Sequence, residues 1–452
     1  MADEGLEEEA PVLIGTMTGS FVYNTIKDRW PKIVTKIVNH FHTNRSDLMD
    51  EHGNDAEADL KSIIATLSEL RYRMMTDKPI LELQDEYDDL NQWNEQLRKF
   101  AEKAGGADQV TWYRTPWLFT ECYLYRLIYG KVYSTDLLYQ YDWFQEGKQQ
   151  AFDQYEDQIK QVIYYFWTCT HDIELEEHHV KDTLRCLLKM SLWGNMGDLS
   201  LSGGDHVEIP AGGRNPVVQA SKRDEYILVD DVDKVIAEII LNLRVKEGVR
   251  RVDIILDNAG LEFVADLLVA EFLLKAGFAD KVVLHGKAYP WFVSDVTEMD
   301  LKYTLAEMLE IADVTAKALS HKWTLRLQTG ELSFKADKFW TTWHTYEEMK
   351  DAAPELHTDL NRSSLLIVKG DLNYRKLVGD RAWPWDTNIK RAVGDIQLPP
   401  ILALRTNKSE TIAGLSQETV DELEEKFGED TNAWMVTGEY AVGQLIESEE
   451  GV

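Results

Sequence analysis

Three oxygen-bearing side chains stand where a strand-like run gives way to a turn: Asp257 and Asn258 in ILDNAGLEF, and Asp295 in HGKAYPWFVSD. Oxygen donors with no Cys or His among them suit a hard divalent ion such as Mg²⁺ or Mn²⁺. A second polar group follows two other apolar runs. Asp371, Asn373, Arg375 and Lys376 come after SSLLIVKG, and Arg405, Thr406 and Lys408 come after ILAL. A divalent ion opposite a lysine and an arginine holds a phosphoryl group and neutralises charge during its transfer. Taken singly, each residue has an ordinary explanation, since Asp and Asn cap helices and turns. Their combination points to phosphoryl chemistry.

For the combination to act, one sheet has to gather it. Residues 252–257 read as a parallel strand buried on both faces, because Val252, Ile254, Ile255 and Leu256 are apolar and mostly β-branched. Leu261, Val264, Leu267, Leu268, Phe272 and Leu273 then recur at helical spacing until Lys275 and Gly277 close the helix. That helix opens beyond the carboxyl end of a strand, where open α/β sheets bind ligands and where free N–H groups meet anions. Further strands are expected at 226–229, 281–285, 364–369 and 401–405, alternating with helices.

The expected fold class is therefore α/β: a helical N-terminal domain (13–192) packed on a three-layer α/β domain (193–452) with a mostly parallel sheet. Helices are expected at 21–38, 59–75, 85–104, 115–129, 149–166 and 175–192. Residues 1–12 read as a solvated acidic tail, and 418–429 and 447–452 as an acidic helix and tail. The loop 202–216 is rich in glycine but carries neither G-x-G-x-x-G nor G-K-[ST], and it is assigned no cofactor. Large rings such as Trp112, Trp117, Tyr123 and Tyr125 read as core. His40 with His42, and His171 with His178 and His179, lack metal-ligand spacing and read as surface or capping residues.

Composition narrows the function. With 44% hydrophobic and 28% charged residues the 452-residue chain is globular. Its formal net charge of −31 repels nucleic acid and anionic membrane surfaces, so neither is an expected partner. Three scattered cysteines, and an acidic N-terminus without a signal sequence, suit a soluble cytoplasmic protein, with nothing against a nuclear presence.

The segments LDNAGLEFVADL, KGDLNYRKL and RTNK resemble the hallmarks of the metal-dependent DUF89 damage-control phosphatases, and R-T-x-K marks one subfamily of them. GSFVYNTIKDRWPKIVTKIV, LRYRMMTDKPI and LWGNMGDLSL are similar to that subfamily's helical domain and its join to the sheet. The resemblance implies a Mn²⁺, Ni²⁺ or Co²⁺ requirement, with Mg²⁺ as a further candidate, and hydrolysis of small sugar phosphates such as fructose 1-phosphate or fructose 6-phosphate. It places metal ligands at Asp257, Asn258 and Asp295. It places substrate contacts at Asp257, Asn258, Glu262, Asp371, Asn373, Arg375, Arg405 and Lys408, with Asp257, Asp371 and Lys408 in the chemistry. The same subfamily has been credited with S-adenosylmethionine-dependent methylation of glutamate side chains. LDNAGLEF offers one glycine where a nucleoside-binding turn of that kind needs several, so the phosphatase reading stands first.

Overall fold

Apolar side chains on both faces make the central strands. In the computed structural model, which describes residues 9–171, 177–194, 220, 222–428 and 430–447, a seven-stranded sheet has the order β1-β7-β6-β5-β2-β3-β4. The strands are β1 (Ile227–Asp230), β2 (Arg251–Ile255), β3 (Lys281–His285), β4 (Leu332–Lys335), β5 (Leu365–Lys369), β6 (Ile401–Thr406) and β7 (Ala441–Ile446). All neighbours run parallel except β6 and β7. Val252, Ile254, Leu365, Ile367, Leu402 and Leu404 face one hydrophobic core, while Ile255, Leu366, Val368, Ile401 and Ala403 face another. A strand covered on both faces has no polar side to alternate with, which is why these runs read as continuously apolar.

The order carries the functional consequence. From β2 the chain adds β3 and β4 on one side, then returns to add β5, β6 and β7 on the other. The direction of winding therefore reverses between β2 and β5, and a crevice opens outside the carboxyl ends at such a switch. Two strands lie outside the sequence expectation. β4 is four residues long, and β7 carries Gly443 at its middle, where an added Cβ would stand 3.0 Å from Val232 Cγ2. A short edge strand and a strand with a central glycine both lack the β-branched signal.

The helices that matter here are α1 (Trp30–Thr43), α2 (Ala56–Met75), α3 (Leu90–Ala104), α4 (Trp117–Tyr133), α5 (Gln145–Gln154), α6 (Glu156–Thr170), α7 (Glu177–Trp193), α8 (Leu261–Lys275), α9 (Glu298–Glu310), α10 (Val314–Thr329) and α11 (Asp371–Leu377). Before α1 lies a π-turn, Thr25–Arg29, and Trp30 N–H donates to Thr25 O. Pro31 explains it, because a residue without an N–H cannot make the bond four residues back, and the wider turn absorbs the defect. The helix expected from residue 85 starts at Leu90 instead. Asp85 and Asp89 are committed elsewhere, holding the fully buried Arg126 at 2.7 to 2.8 Å. The helix expected at 149–166 is two helices, α5 and α6, parted at Tyr155.

α6 and α7 pack with α8, α9 and α10 on one face of the sheet, so their apolar residues belong to the sheet's core. α1 to α4 form a separate aromatic core that reaches into the α/β unit through Tyr289, Trp291, Phe292 and Val293. The described part of the acidic N-terminus is not a free tail. Ala10 is buried, Ala382 N–H donates to Pro11 O at 2.9 Å, and Arg381 pairs with Glu9 at 3.0 Å. The loop 202–216, the tail beyond Glu447 and the end of LWGNMGDLSL lie outside the described residues.

Candidate active site

Main-chain pairing between two strand ends sets the first part of the site. Beyond β2, Val296 N–H donates to Asp257 O at 2.8 Å and Ala259 N–H to Ser294 O at 2.8 Å, so Asn258 and Asp295 face each other across an isolated antiparallel bridge. The loop after β3 that delivers Asp295 is strained. Phe292 and Val293 adopt φ of 44° and 75°, a region that a β-branched residue rarely enters and that costs roughly 1–3 kcal/mol per residue. Burial holds them there, and the Phe292 ring stacks on Tyr125 of α4 with centroids 4.6 Å apart.

The second part comes from β5 and β6. Gly370 follows β5 at φ 84°, and a Cβ there would stand 2.1 Å from Asp257 Oδ2, so only glycine lets the carboxylate lie against this turn. Asp371 opens α11. Its Oδ1 accepts from Arg405 Nε at 2.7 Å, Lys408 N–H at 3.0 Å and Ser409 Oγ at 3.0 Å. These bonds join the GDLNYR and RTNK segments and leave Oδ2 without a share in them.

The result is a crevice lined by Asp257, Asn258, Asp295, Asp371, Arg375 and Lys408, and by Arg29, Trp117, Glu121, Phe292 and Leu372. Six of the residues expected at the site thus meet. Glu262, Asn373 and Arg405 do not line it. Glu262 sits beneath, accepting from Lys369 Nζ at 2.8 Å and Asn258 Nδ2 at 3.0 Å. Asn373 is fully buried and donates to Leu256 O and Lys369 O, tying α11 to the end of β2. Arg405 lies behind Asp371, its guanidinium 4.3 Å from the Tyr374 ring centroid and bonded to Thr411 O.

The helical wall is made by Arg29, Trp117 and Glu121, none of which the sequence reading assigned to the site. Glu121 on α4 accepts from Trp30 Nε1 at 3.1 Å and pairs with Arg375, which also pairs with Asp380 at 2.8 Å and covers the Trp117 ring at 3.5 Å. Burial opposes the charge on Arg375, but Asp380 and Glu121 hold its pKa above the usual arginine range. A lone Glu within WLFTECYLYRL was the available signal, because a carboxylate in an apolar helix needs a buried cation. Two buried lysines behave oppositely. Burial works against the charge on Lys369, yet Asp266 and Glu262 raise its pKa; Lys376, whose Nζ donates to Phe339 O at 2.8 Å, is pushed by burial down to about 7.

Among the described residues no three His, Cys, Asp or Glu side chains form a metal-holding group. The set that faces the crevice is two carboxylates and a carboxamide, Asp257, Asp295 and Asn258, all hard oxygen donors. Gly370 keeps the space at Asp257 clear, and Lys287 Nζ, 2.9 Å from Asp295 Oδ2, shows that this edge already accommodates a cation beside the carboxylate. These residues fit a divalent ion by the chemistry of their donors.

The description "Damage-control phosphatase ARMT1-like domain" matches residues 25–423. Proteins called Damage-control phosphatase ARMT1 are similar along nearly the whole chain. The one from Danio rerio is 35% identical, covering 94% of this chain and 95% of its own, and the one from Homo sapiens is 34% identical, covering 96% and 97%. A solved structure of a DUF89 family protein from Pyrococcus horikoshii covers 81% of this chain and 91% of its own at 14% identity, with a TM-score of 0.39, too low to carry an argument.

Proposed function

Since the chain belongs to the damage-control phosphatase ARMT1-like family, and is a phosphatase of the metabolite-repair kind, we propose that its crevice hydrolyses the phosphomonoester of a small sugar phosphate. Fructose 1-phosphate, fructose 6-phosphate and related damaged phosphometabolites are the substrates we infer. The family is generally metal-dependent. In this reading Asp257, Asn258 and Asp295 hold Mn²⁺, Ni²⁺ or Co²⁺, with Mg²⁺ as a weaker candidate. Such an ion supplies Lewis-acid neutralisation of the phosphoryl oxygens when bound.

The chain's own groups do the rest. Lys408 carries a positive charge to the phosphate at the mouth of the crevice, where removal from bulk water strengthens the attraction. Asp371 is fixed through Oδ1 by Arg405, Lys408 and Ser409, so Oδ2 is the proton acceptor for an attacking water. The water oxygen bonds to phosphorus as its proton passes to Asp371, the bond from phosphorus to the sugar oxygen breaks, and the leaving sugar oxygen takes the proton that Asp371 had accepted. Arg29, Glu121 and Arg375, on and facing the helical wall, offer charged partners to sugar hydroxyls, and Trp117 and Phe292 close the space around a molecule of that size.

The observation that carries this reading is the meeting of Asp257, Asn258, Asp295, Asp371 and Lys408 from four separate strand ends in one crevice. Purified protein should release phosphate from small sugar phosphates when Mn²⁺, Co²⁺ or Ni²⁺ is added, stop on chelation, and need no S-adenosylmethionine. A protein that releases no phosphate from any sugar phosphate with these metals, yet transfers a labelled methyl group to a carboxylate, would overturn it.

A further inference from the structure

A closed polar cluster lies under the crevice, and no step above uses it. Lys369, the last residue of β5, is fully buried, and its Nζ donates to Glu262 Oε1 at 2.8 Å, Asp266 Oδ1 at 2.7 Å and Ser191 O at 3.0 Å. Glu262 and Asp266 stand four residues apart on α8, hence on one face of it. Glu262 is 2% exposed and does not line the crevice. Its second oxygen, Oε2, accepts from Asn258 Nδ2 at 3.0 Å. The same amide nitrogen donates its other hydrogen to Asp257 Oδ2 at 2.8 Å, while Asn258 Oδ1 accepts from Ser294 Oγ at 2.6 Å.

Those three bonds decide which way the carboxamide points. Turned over, it would aim Oδ1 at two carboxylate oxygens, with no proton between them. We propose that Glu262 and Lys369 are positioning residues: Lys369 anchors the Glu262 carboxylate, and Glu262 fixes the Asn258 carboxamide so that its oxygen is kept for the divalent ion. This rests on the reading of Asn258 as a metal ligand. Glu262 then acts on the reaction through Asn258 and touches no substrate. Groups that orient a ligand in this way alter metal affinity even though they never meet the metal.

The test is calorimetric titration of the full chain with Mn²⁺ alone, with the thermal midpoint of each variant recorded beside it. Glu262→Gln should weaken Mn²⁺ binding about 10- to 100-fold, the range for lost outer partners of a ligand. Asp266→Asn removes an equal charge from the same ammonium but nothing from Asn258, so its affinity should change less than about threefold. Ser294→Ala, a smaller change on the other side of the amide, should weaken binding several-fold and serves if Glu262→Gln does not fold. Wild-type binding with undiminished affinity in Glu262→Gln, or equal weakening in Glu262→Gln and Asp266→Asn, overturns the positioning role alone. A wild-type chain that binds no Mn²⁺, Co²⁺ or Ni²⁺ overturns the metal reading beneath it.

Discussion

The two walls of the crevice are built by different physics. On one side Asp257, Asn258, Asp295, Asp371 and Lys408 sit at or just past strand ends, placed by main-chain bonds that the sheet imposes. On the other side Arg29, Trp117 and Glu121 come from a π-turn and a helix, placed by ring packing and by the buried Glu121–Arg375–Asp380 cluster. Strand-end residues can be altered with little loss of core, whereas the helical wall is itself core. Changes on the first wall should therefore register in catalysis and changes on the second in stability.

The sharpest test of that contrast is Asp257→Asn. Loss of one carboxylate ligand should lower kcat/KM by on the order of 1,000-fold, about 4 kcal/mol, as for the removal of a major charge from a transition-state site. Calorimetry should show metal binding lost while the thermal midpoint stays near that of wild type. A variant that binds metal as wild type does would remove Asp257 from the ligand set.

Lys408→Ala should act on the same wall more mildly. A fall of about 100-fold in kcat/KM, the loss expected from one preorganised charge, with unaltered metal affinity would place the lysine on the phosphate. Full activity would leave this buried lysine without a part in the reaction.

Glu121→Gln addresses the helical wall. Removing one partner of a buried pair costs about 3–5 kcal/mol when the other is left alone, but Arg375 keeps Asp380, so about 2 kcal/mol is expected. Denaturant unfolding should show that loss while kcat/KM of the folded protein falls less than about tenfold, the reverse of the Lys408 pattern. A large catalytic loss without a change in stability would erase the contrast between the walls.

A pH-dependent test concerns Lys376, buried behind α11, whose pKa burial lowers from 10.5 to about 7. Between those values the unfolded chain holds a proton that the folded one lacks, so this group lowers stability most below pH 7 and ceases to do so above about 10.5. The stability of wild type relative to Lys376→Met should therefore rise as pH rises from 7 to 10. A difference that does not change over that range would show that the lysine stays charged in the fold.

Legibility in the sequence followed the same division. β2, β3, β5 and β6 were readable because strands covered on both faces are largely apolar runs, and the polar residues after them stood out by contrast. β7 was hidden by Gly443, and β4 by its four-residue length. Asp85 and Asp89 looked like the start of a helix because their partner Arg126 lies some 40 residues away in sequence. Glu262, Asn373 and Arg405 were grouped with the crevice by the family resemblance and by their place at or near strand ends. Their side chains stand behind its lining, bonded to Lys369 and Asn258, to the end of β2, and to Asp371 respectively.

By itself the sequence determined the α/β class and the polar residues that follow its central strands. These follow from periodicity and residue type, which are local properties. Only the tertiary structure decided that β5 returns to lie beside β2, which sets Asp371 against Asp257 and opens the crevice at the switch between them. It also decided which polar residues face the crevice and which hold it from behind. That choice depends on partners distant in sequence, such as Glu121 for Arg375 and Lys369 for Glu262, because a buried charge settles wherever the fold supplies its opposite.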